Sequence, residues 1–213
     1  VERELSRHER KERTRRAILG AALELSAEGG LSALSLRSVA KKVGIVPTAF
    51  YRHFSSVEQL GLALLDESFG AMRETLREVR RDNRDLDDVI ANSVRILVKN
   101  VNERRAHFLF IARERIAGPP LVREAVRREM ELIELELAMD VARLLDARAW
   151  PTEDLRTLAH LIVTAMVGIV QDILTTRPEQ LGAEAGISHQ AERQLRMIAV
   201  AAANWKPQDP AST

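Results

Sequence analysis

Residues 34–54 read LSLRSVAKKVGIVPTAFYRHF, and this stretch decides the fold. Leu36, Val39, Ala40 and Val43 recur at i, i+3, i+4 and i+7, which gives one helix a single apolar face. Gly44 closes that helix, because glycine enters the left-handed region without a Cβ penalty. Ile45 and Val46 then carry the chain to Pro47, whose fixed φ and missing N–H suit a first helical position. A second, short helix begins there. It presents Thr48, Tyr51, Arg52 and His53 while Phe50 and Phe54 anchor it from below. Two helices joined by a short link containing glycine form a helix-turn-helix, whose second helix enters the major groove of DNA.

Working outward, Ser6 and Glu9 form a capping box, and Ile18, Ala21, Ala22 and Leu25 continue at helical spacing, which predicts a helix over 7–28. Gly29 and Gly30 end it. Two short helices alone bury too little surface, so this first helix completes their core and three helices make one small domain, residues 1–55. Downstream, Ser56 and Gln59 cap a helix over 57–81 with Leu60, Ala63, Leu64, Ala71, Met72, Leu76 and Val79 on one face. At 1.5 Å per residue it is about 37 Å long, a natural lever. Asp82-Asn83 interrupts the pattern, and further helices are expected over 86–102, 105–117 (ended by Gly118-Pro119-Pro120) and 121–147. Trp150-Pro151 precedes a helix capped by Thr152, residues 182–186 read as a loop, Ser188 caps a final helix reaching Trp205, and residues from Pro207 onward are expected to fray. The expectation is an all-α protein of about nine helices, with 56–213 as a second helical domain.

Charge is distributed unevenly. Residues 1–56 carry eleven Lys and Arg against six Glu, a net of +5, whereas the rest holds 21 basic and 25 acidic groups, a net of −4, which together give the chain's +1. A basic front on an acidic body points to a polyanion partner for the front alone. The charged N-terminal residues lack the apolar run of a signal peptide. The most apolar run, LIVTAMVGIV at 161–170, falls short of the roughly 20 residues a spanning helix needs, so no membrane partner is expected. The absence of cysteine excludes disulfides and thiol catalysis and is compatible with a cytoplasmic protein.

Catalytic patterns are missing. The five histidines, at 8, 53, 107, 160 and 189, form no paired ligand motif, and there is no nucleophile elbow or phosphate-cradling glycine loop. Glu131, Glu134 and Glu136 lack the Glu-x-x-His repeat of helical metal carboxylate sites, and His160 reads as a core histidine. The chain is therefore expected to be no enzyme, with neither metal nor cofactor. Arg113 and Arg115 flank Glu114 in an otherwise apolar stretch. Since an unpaired buried arginine is costly, they read either as an internal ion pair with Glu114 or a neighbour, or with one of them held for an anionic ligand.

The segment LSLRSVAKKVGIVPTAFYRHFSSVEQL closely resembles the DNA-binding signature of the TetR family of one-component bacterial transcriptional regulators, over roughly residues 9–70. The resemblance implies that Ser35 and Arg37 contact phosphates or a base, and that Thr48, Ala49, Tyr51 and His53 face the DNA. Two departures bear on one phosphate contact: Val46 stands where the family usually has a small polar residue, and Val57 where it often has Lys. VPTAFYRHF with LGLALLDES, RERIAGPP and QLRMIA looks like the subgroup that represses unsaturated fatty-acid synthesis and desaturation and senses long-chain acyl-CoA.

That subgroup implies an acyl chain among the downstream helices. Met72, Leu97, Val101, Phe108, Phe110, Ile111, Met130, Ile133, Leu137, Met166, Ile169 and Ile173 are the lining expected for it, with Arg113 as the anion partner. Arg123, Arg127 and Arg128 read as a solvated face or as contacts to CoA phosphates. A hydrophobic effector of an efflux or catabolic operon is the alternative. The family resemblance also implies a homodimer through the last two helices, with Val163, Val167, Val170, Leu174, Leu195, Ile198, Ala199 and Ala202 at the interface. A two-fold operator requires such a dimer.

Overall fold

The computed structural model describes residues 6–80, 86–145, 150–176 and 183–206. Among the described residues the fold is all-helical, with nine α-helices and no strand: α1 Arg7–Gly29, α2 Leu36–Val43, α3 Pro47–Phe50, α4 Val57–Arg80, α5 Leu86–Glu103, α6 Arg105–Ala117, α7 Pro120–Leu144, α8 Thr152–Thr175 and α9 Ala183–Ala203. A 3-10 turn, Leu31–Ala33, links α1 to α2.

Local chemistry explains the first boundaries. Ser6 Oγ accepts from the Glu9 N–H at 3.2 Å while Glu9 Oε2 accepts from the Ser6 N–H at 2.6 Å, so the two side chains satisfy two orphan donors at the start of α1. Gly30, at φ 67°, turns the chain out of α1. Ser35 Oγ caps α2 by accepting from Ser38 N–H at 3.1 Å, and Gly44, at φ 76° and ψ 29°, ends it in the left-handed conformation. Pro47 is the first residue of α3.

Several expected ends differ. α3 is a single regular turn to Phe50, and Tyr51 to His53 continue it as hydrogen-bonded turn, with Tyr51 N–H on Pro47 O at 3.2 Å and His53 N–H on Phe50 O at 2.8 Å. Thr152 is the first residue of α8 and not its cap; Pro151 holds that position, with no side-chain cap bond. α9 starts at Ala183, so Gly186 and Ser188 lie inside it, where the helix-forming pattern of its neighbours overrides the capping signal. The breaks expected at 81–83, the helix end at 147, Gly182 and the frayed residues from Pro207 onward lie outside the described residues.

The helices form two compact units. One takes in the described residues through Ala71 together with Ala106–Arg127, and so holds more than residues 1–55; the other takes in Met72–Arg105 and the described residues from Arg128 onward. In the first unit Ile18, Ala22, Val39, Phe50, Leu60, Leu64 and Phe69 are completely buried. Burying each large apolar side chain contributes about 1.5–3 kcal/mol, so this core holds α1 to α3 on α4. α4 approaches the 3-10 turn closely, since a Cβ on Gly61 would stand 2.4 Å from Leu31 Cδ1.

In the second unit α8 packs on α9 and α5, and α5 packs on α9. Arg105 donates to the carbonyls of Ile173 (3.1 Å), Leu174 (2.6 Å) and Thr176 (3.3 Å), which satisfies the orphan acceptors at the end of α8. At 24 residues, with a mean hydropathy of 1.7 over its most apolar window, α8 has the length and composition of a spanning helix, longer than the 161–170 run alone suggested. Its outer side nevertheless carries exposed Thr157, His160, Gln171 and Asp172.

Candidate functional site

The second helix of the helix-turn-helix stands on two buried rings. Phe50 and Phe54 lie with centroids 6.0 Å apart, and Tyr51 meets Phe50 edge-on at 87°. This anchoring turns Tyr51 outward, where it is 57% exposed. Thr48 and Arg52 are exposed with it, while Ala49 is half-buried. Arg37 is exposed on the first turn of α2, and Ser35 is exposed beside it although its hydroxyl oxygen serves the cap. The six residues read as DNA contacts are thus held at or near one small surface formed by the start of α2 and by α3 with its following turn.

His53 differs from its neighbours. It is half-buried, its Nδ1 is buried without a hydrogen-bond partner, and its pKa is pushed below the ordinary histidine value by burial first and then by the positive charges of Lys11 and Arg15, with Glu12 opposing. The ring is therefore neutral at neutral pH, and it offers hydrogen bonds and not a cation. Arg15 has a second role, since its guanidinium lies over the Phe54 ring. The helical run Lys11, Arg13, Arg15 and Arg16 gave no sequence signal that one member braces the core.

The residues expected to line an acyl pocket do not converge. A cavity of about 490 Å³ opens among α5, α7, α8 and α9, inside the 300–1,000 Å³ range of small-molecule sites. Of the expected lining, Ile133, Leu137 and Met166 reach it. Leu97, Val101, Ile169 and Ile173 are buried in the second unit away from its wall, and Met72 and Met130 are half-buried and also away from it. Phe108, Phe110, Ile111 and Arg113 belong to the first unit. The wall also includes Val89, Ile90, Ser93, Val141, Leu158 and Ile162, with Asp140 and Arg143 as its charged members, 3.8 Å apart. Helical periodicity marks these apolar residues as inward-facing, but it does not separate those that fill the core from those that border a gap.

The arginines are accounted for differently from the expected ion pair. Arg113 donates to the carbonyls of Ser26 (3.2 Å) and Ala27 at the end of α1, not to Glu114. Glu114 instead accepts from Leu31 N–H at 2.9 Å. Arg123 donates to Gly118 O at 2.8 Å and Arg127 pairs with Glu124 at 2.6 Å. His160 is exposed, with Nδ1 3.0 Å from Glu134 Oε1, and is not a core histidine. Among the described residues no group of three His, Cys, Asp or Glu could hold a metal ion.

On α8 and α9, Val163, Leu195 and Ala202 are buried within the chain, and with Ile198 and Ala199 they line the cavity. Val167, Val170 and Leu174 are half-buried. The large apolar residues left exposed among the described residues of these two helices are Leu161, Met197 and Val200, at 52%, 71% and 63% exposure.

The segment that holds the helix-turn-helix matches a known family. Residues 18–64 match the family of bacterial regulatory proteins described as the tetR family. Solved structures extend the likeness to the whole fold. A transcriptional regulator from Rhodococcus sp. Rha1 is similar at 22% identity over 90% of this chain and 99% of its own, with a TM-score of 0.70. A TetR-family transcriptional regulator from Syntrophomonas wolfei is similar at 14% identity over 89% and 96%, with a TM-score of 0.71. The fatty acid degradation regulator FadR from Bacillus halodurans is similar at 15% identity over 85% and 94%, with a TM-score of 0.70. At these identities the likeness is one of fold.

Proposed function

We propose that this chain is a transcriptional repressor that binds a pseudo-palindromic operator as a homodimer and is released or locked by a hydrophobic small molecule. The observation that carries the reading is the exposed Thr48, Tyr51 and Arg52 surface on a glycine-closed, proline-started turn, inside the segment that matches tetR-family regulators. Two such surfaces in a dimer would read half-sites in successive major grooves, roughly 34–36 Å apart. Arg37 and the α2 start would position the protein on phosphates, and Thr48 and Tyr51 would meet the groove.

The effector reading is finer. We propose a long-chain acyl-CoA, its chain in the apolar cavity among α5, α7, α8 and α9 and its charged head outside. The mainly apolar wall supports a chain, and Arg143 offers a cation at its border. The chain is also similar in fold to a protein described as a fatty acid degradation regulator. An effector acts only through its differential affinity for the two arrangements of the dimer, whatever element transmits it, α4 being the expected lever.

The experiment is a mobility-shift titration on a duplex selected by the wild-type protein from a random-sequence pool. Tyr51→Ala is expected to abolish the shift, and unchanged affinity would remove the proposed recognition face. Oleoyl-CoA and palmitoyl-CoA added separately are expected to change DNA affinity by different amounts. Null effects from both would favour a different hydrophobic effector on the same scaffold.

A further inference from the structure

We propose that Glu114 is a positioning residue of the DNA-reading unit: from α6 its carboxyl group holds the Leu31 amide and so fixes the direction in which the chain leaves α1 for the helix-turn-helix. This rests on the DNA-binding reading above. The side chain is 2% exposed, which is exceptional for glutamate. Oε1 accepts from Leu31 N–H at 2.9 Å, while Oε2 is buried without a partner. An ionised carboxylate with one bare oxygen in such a place costs several kcal/mol, and protonation lowers that cost by removing the charge.

The surroundings are shaped to the carboxyl group. A Cβ on Gly30, already favoured as glycine by its φ of 67°, would stand 2.7 Å from Oε1, and one on Gly118 would stand 2.6 Å from both Oε2 and the Glu114 backbone carbonyl, so the carboxyl group lies close against both glycines. Arg113, on the same helix, donates to Ser26 O and Ala27 O, and Arg123 donates to Gly118 O. Neither guanidinium bonds the carboxyl. Burial pushes the Glu114 pKa up, with the Leu31 amide and the Arg113 charge opposing.

Leu31 opens the 3-10 turn that leads to Ser35, the cap of α2, so the bonded amide lies where the path of α2 and α3 is set. α6 thereby grips the corner twice, with Arg113 on the last carbonyls of α1 and Glu114 on the first amide after it.

The test uses the full chain, with the duplex selected by wild type from the random pool and fluorescence anisotropy at fixed salt from about pH 5 to about pH 9, upward from the ordinary glutamate value of about 4.3. Glu114→Gln keeps the shape and stays neutral. Its affinity is expected within about twofold of wild type at the acid end, and the wild-type protein is expected to lose affinity relative to it as pH rises. Glu114→Ala is expected to weaken binding about tenfold throughout, with its helical circular dichroism retained. Thermal unfolding without DNA gives a second reading: the midpoint of Glu114→Gln should gain on that of wild type as pH rises. Parallel wild-type and Glu114→Gln profiles in both measurements, or wild-type affinity in Glu114→Ala, would overturn the proposal while leaving DNA binding intact. A pool that yields no enriched duplex would instead remove the DNA-binding reading, and a positioning role for Glu114 with it.

Discussion

Arg15 of α1 lies over the ring of Phe54, its guanidinium carbon 4.7 Å from the ring centroid. One side chain on the basic face of α1 therefore closes the core from which the recognition surface projects. A cation over an aromatic face at a partly exposed position contributes about 0.5–1 kcal/mol, and the aliphatic stem adds packing. Arg15→Ala is expected to destabilise the protein by about 1–2 kcal/mol in urea unfolding. Arg13→Ala, on the exposed side of the same helix, should change it by less than about 0.5 kcal/mol. Equal losses would mean that the ring contact contributes nothing specific.

Phe50 and Tyr51 are adjacent in sequence and opposite in role. Phe50 is completely buried, so Phe50→Ala should cost about 3–5 kcal/mol in stability. Tyr51 is mostly exposed, so Tyr51→Ala should leave stability within about 0.5 kcal/mol while lowering affinity for the selected duplex tenfold or more. Thermal unfolding and anisotropy on both variants separate the two roles. A large stability loss in Tyr51→Ala would show that the tyrosine is packing.

The helix-turn-helix was legible because its signals are local: Gly44 and Pro47 act through their own backbones, and Phe50 and Phe54 repeat at i, i+4 on one face. The expected pocket was not legible. Phe108, Phe110 and Ile111 have the same apolar periodicity as Ile133 and Leu137, yet the first three fill the core of one unit and the other two border a gap in the other. Periodicity reports which way a side chain faces and not what lies opposite. Glu114 shows the same limit: the charge triplet Arg113-Glu114-Arg115 predicts mutual pairing, whereas the folded chain sends Arg113 and Glu114 to backbone groups more than eighty residues away.

His53 makes acid pH informative. Its folded pKa lies below the ordinary value because burial and then Lys11 and Arg15 disfavour the imidazolium. A group with a depressed folded pKa contributes stability that is present above its unfolded value, near 6.5, and lost as pH falls through the folded value. The wild type should therefore lose stability below about pH 6.5 relative to His53→Asn, which cannot take up the proton. Paired thermal melts in the same buffers check this, and in the free protein the His53 ring should titrate below the ordinary histidine value. Melts that stay parallel through the acid range would show that the ring is solvated.

The cavity predicts a gain. Ala199 is half-buried on α9 and borders the 490 Å³ space, so Ala199→Leu should place new apolar surface into it and stabilise the protein by about 0.5–2 kcal/mol. The same change in a filled core, Ala22→Leu, should cost about 1–3 kcal/mol by overpacking. If the cavity is the effector site, Ala199→Leu should also lose the response of the protein–DNA complex to palmitoyl-CoA. A stabilised variant with an intact response would place the effector elsewhere.

The proposed dimer makes the sharpest distinction, because two stripes of the same helices compete for the role. Val163, Leu195 and Ala202 face inward and are covered by this chain, whereas Leu161, Met197 and Val200 remain outward. Helix-to-helix association through α8 and α9 needs apolar surface that folding of the chain leaves open, and Leu161, Met197 and Val200 leave more of theirs open than half-buried Val167, Val170 and Leu174 do. Met197→Glu combined with Val200→Glu is therefore expected to give a monomer in sedimentation equilibrium, with helical content retained and binding of a two-half-site duplex reduced more than tenfold. Val163→Ala should lower chain stability by about 1–3 kcal/mol and leave association unchanged at temperatures below unfolding. The charged pair has no reason to disturb the core of the chain, since both positions are already in water. A dimer that survives Met197→Glu with Val200→Glu would show that the two copies meet through another surface.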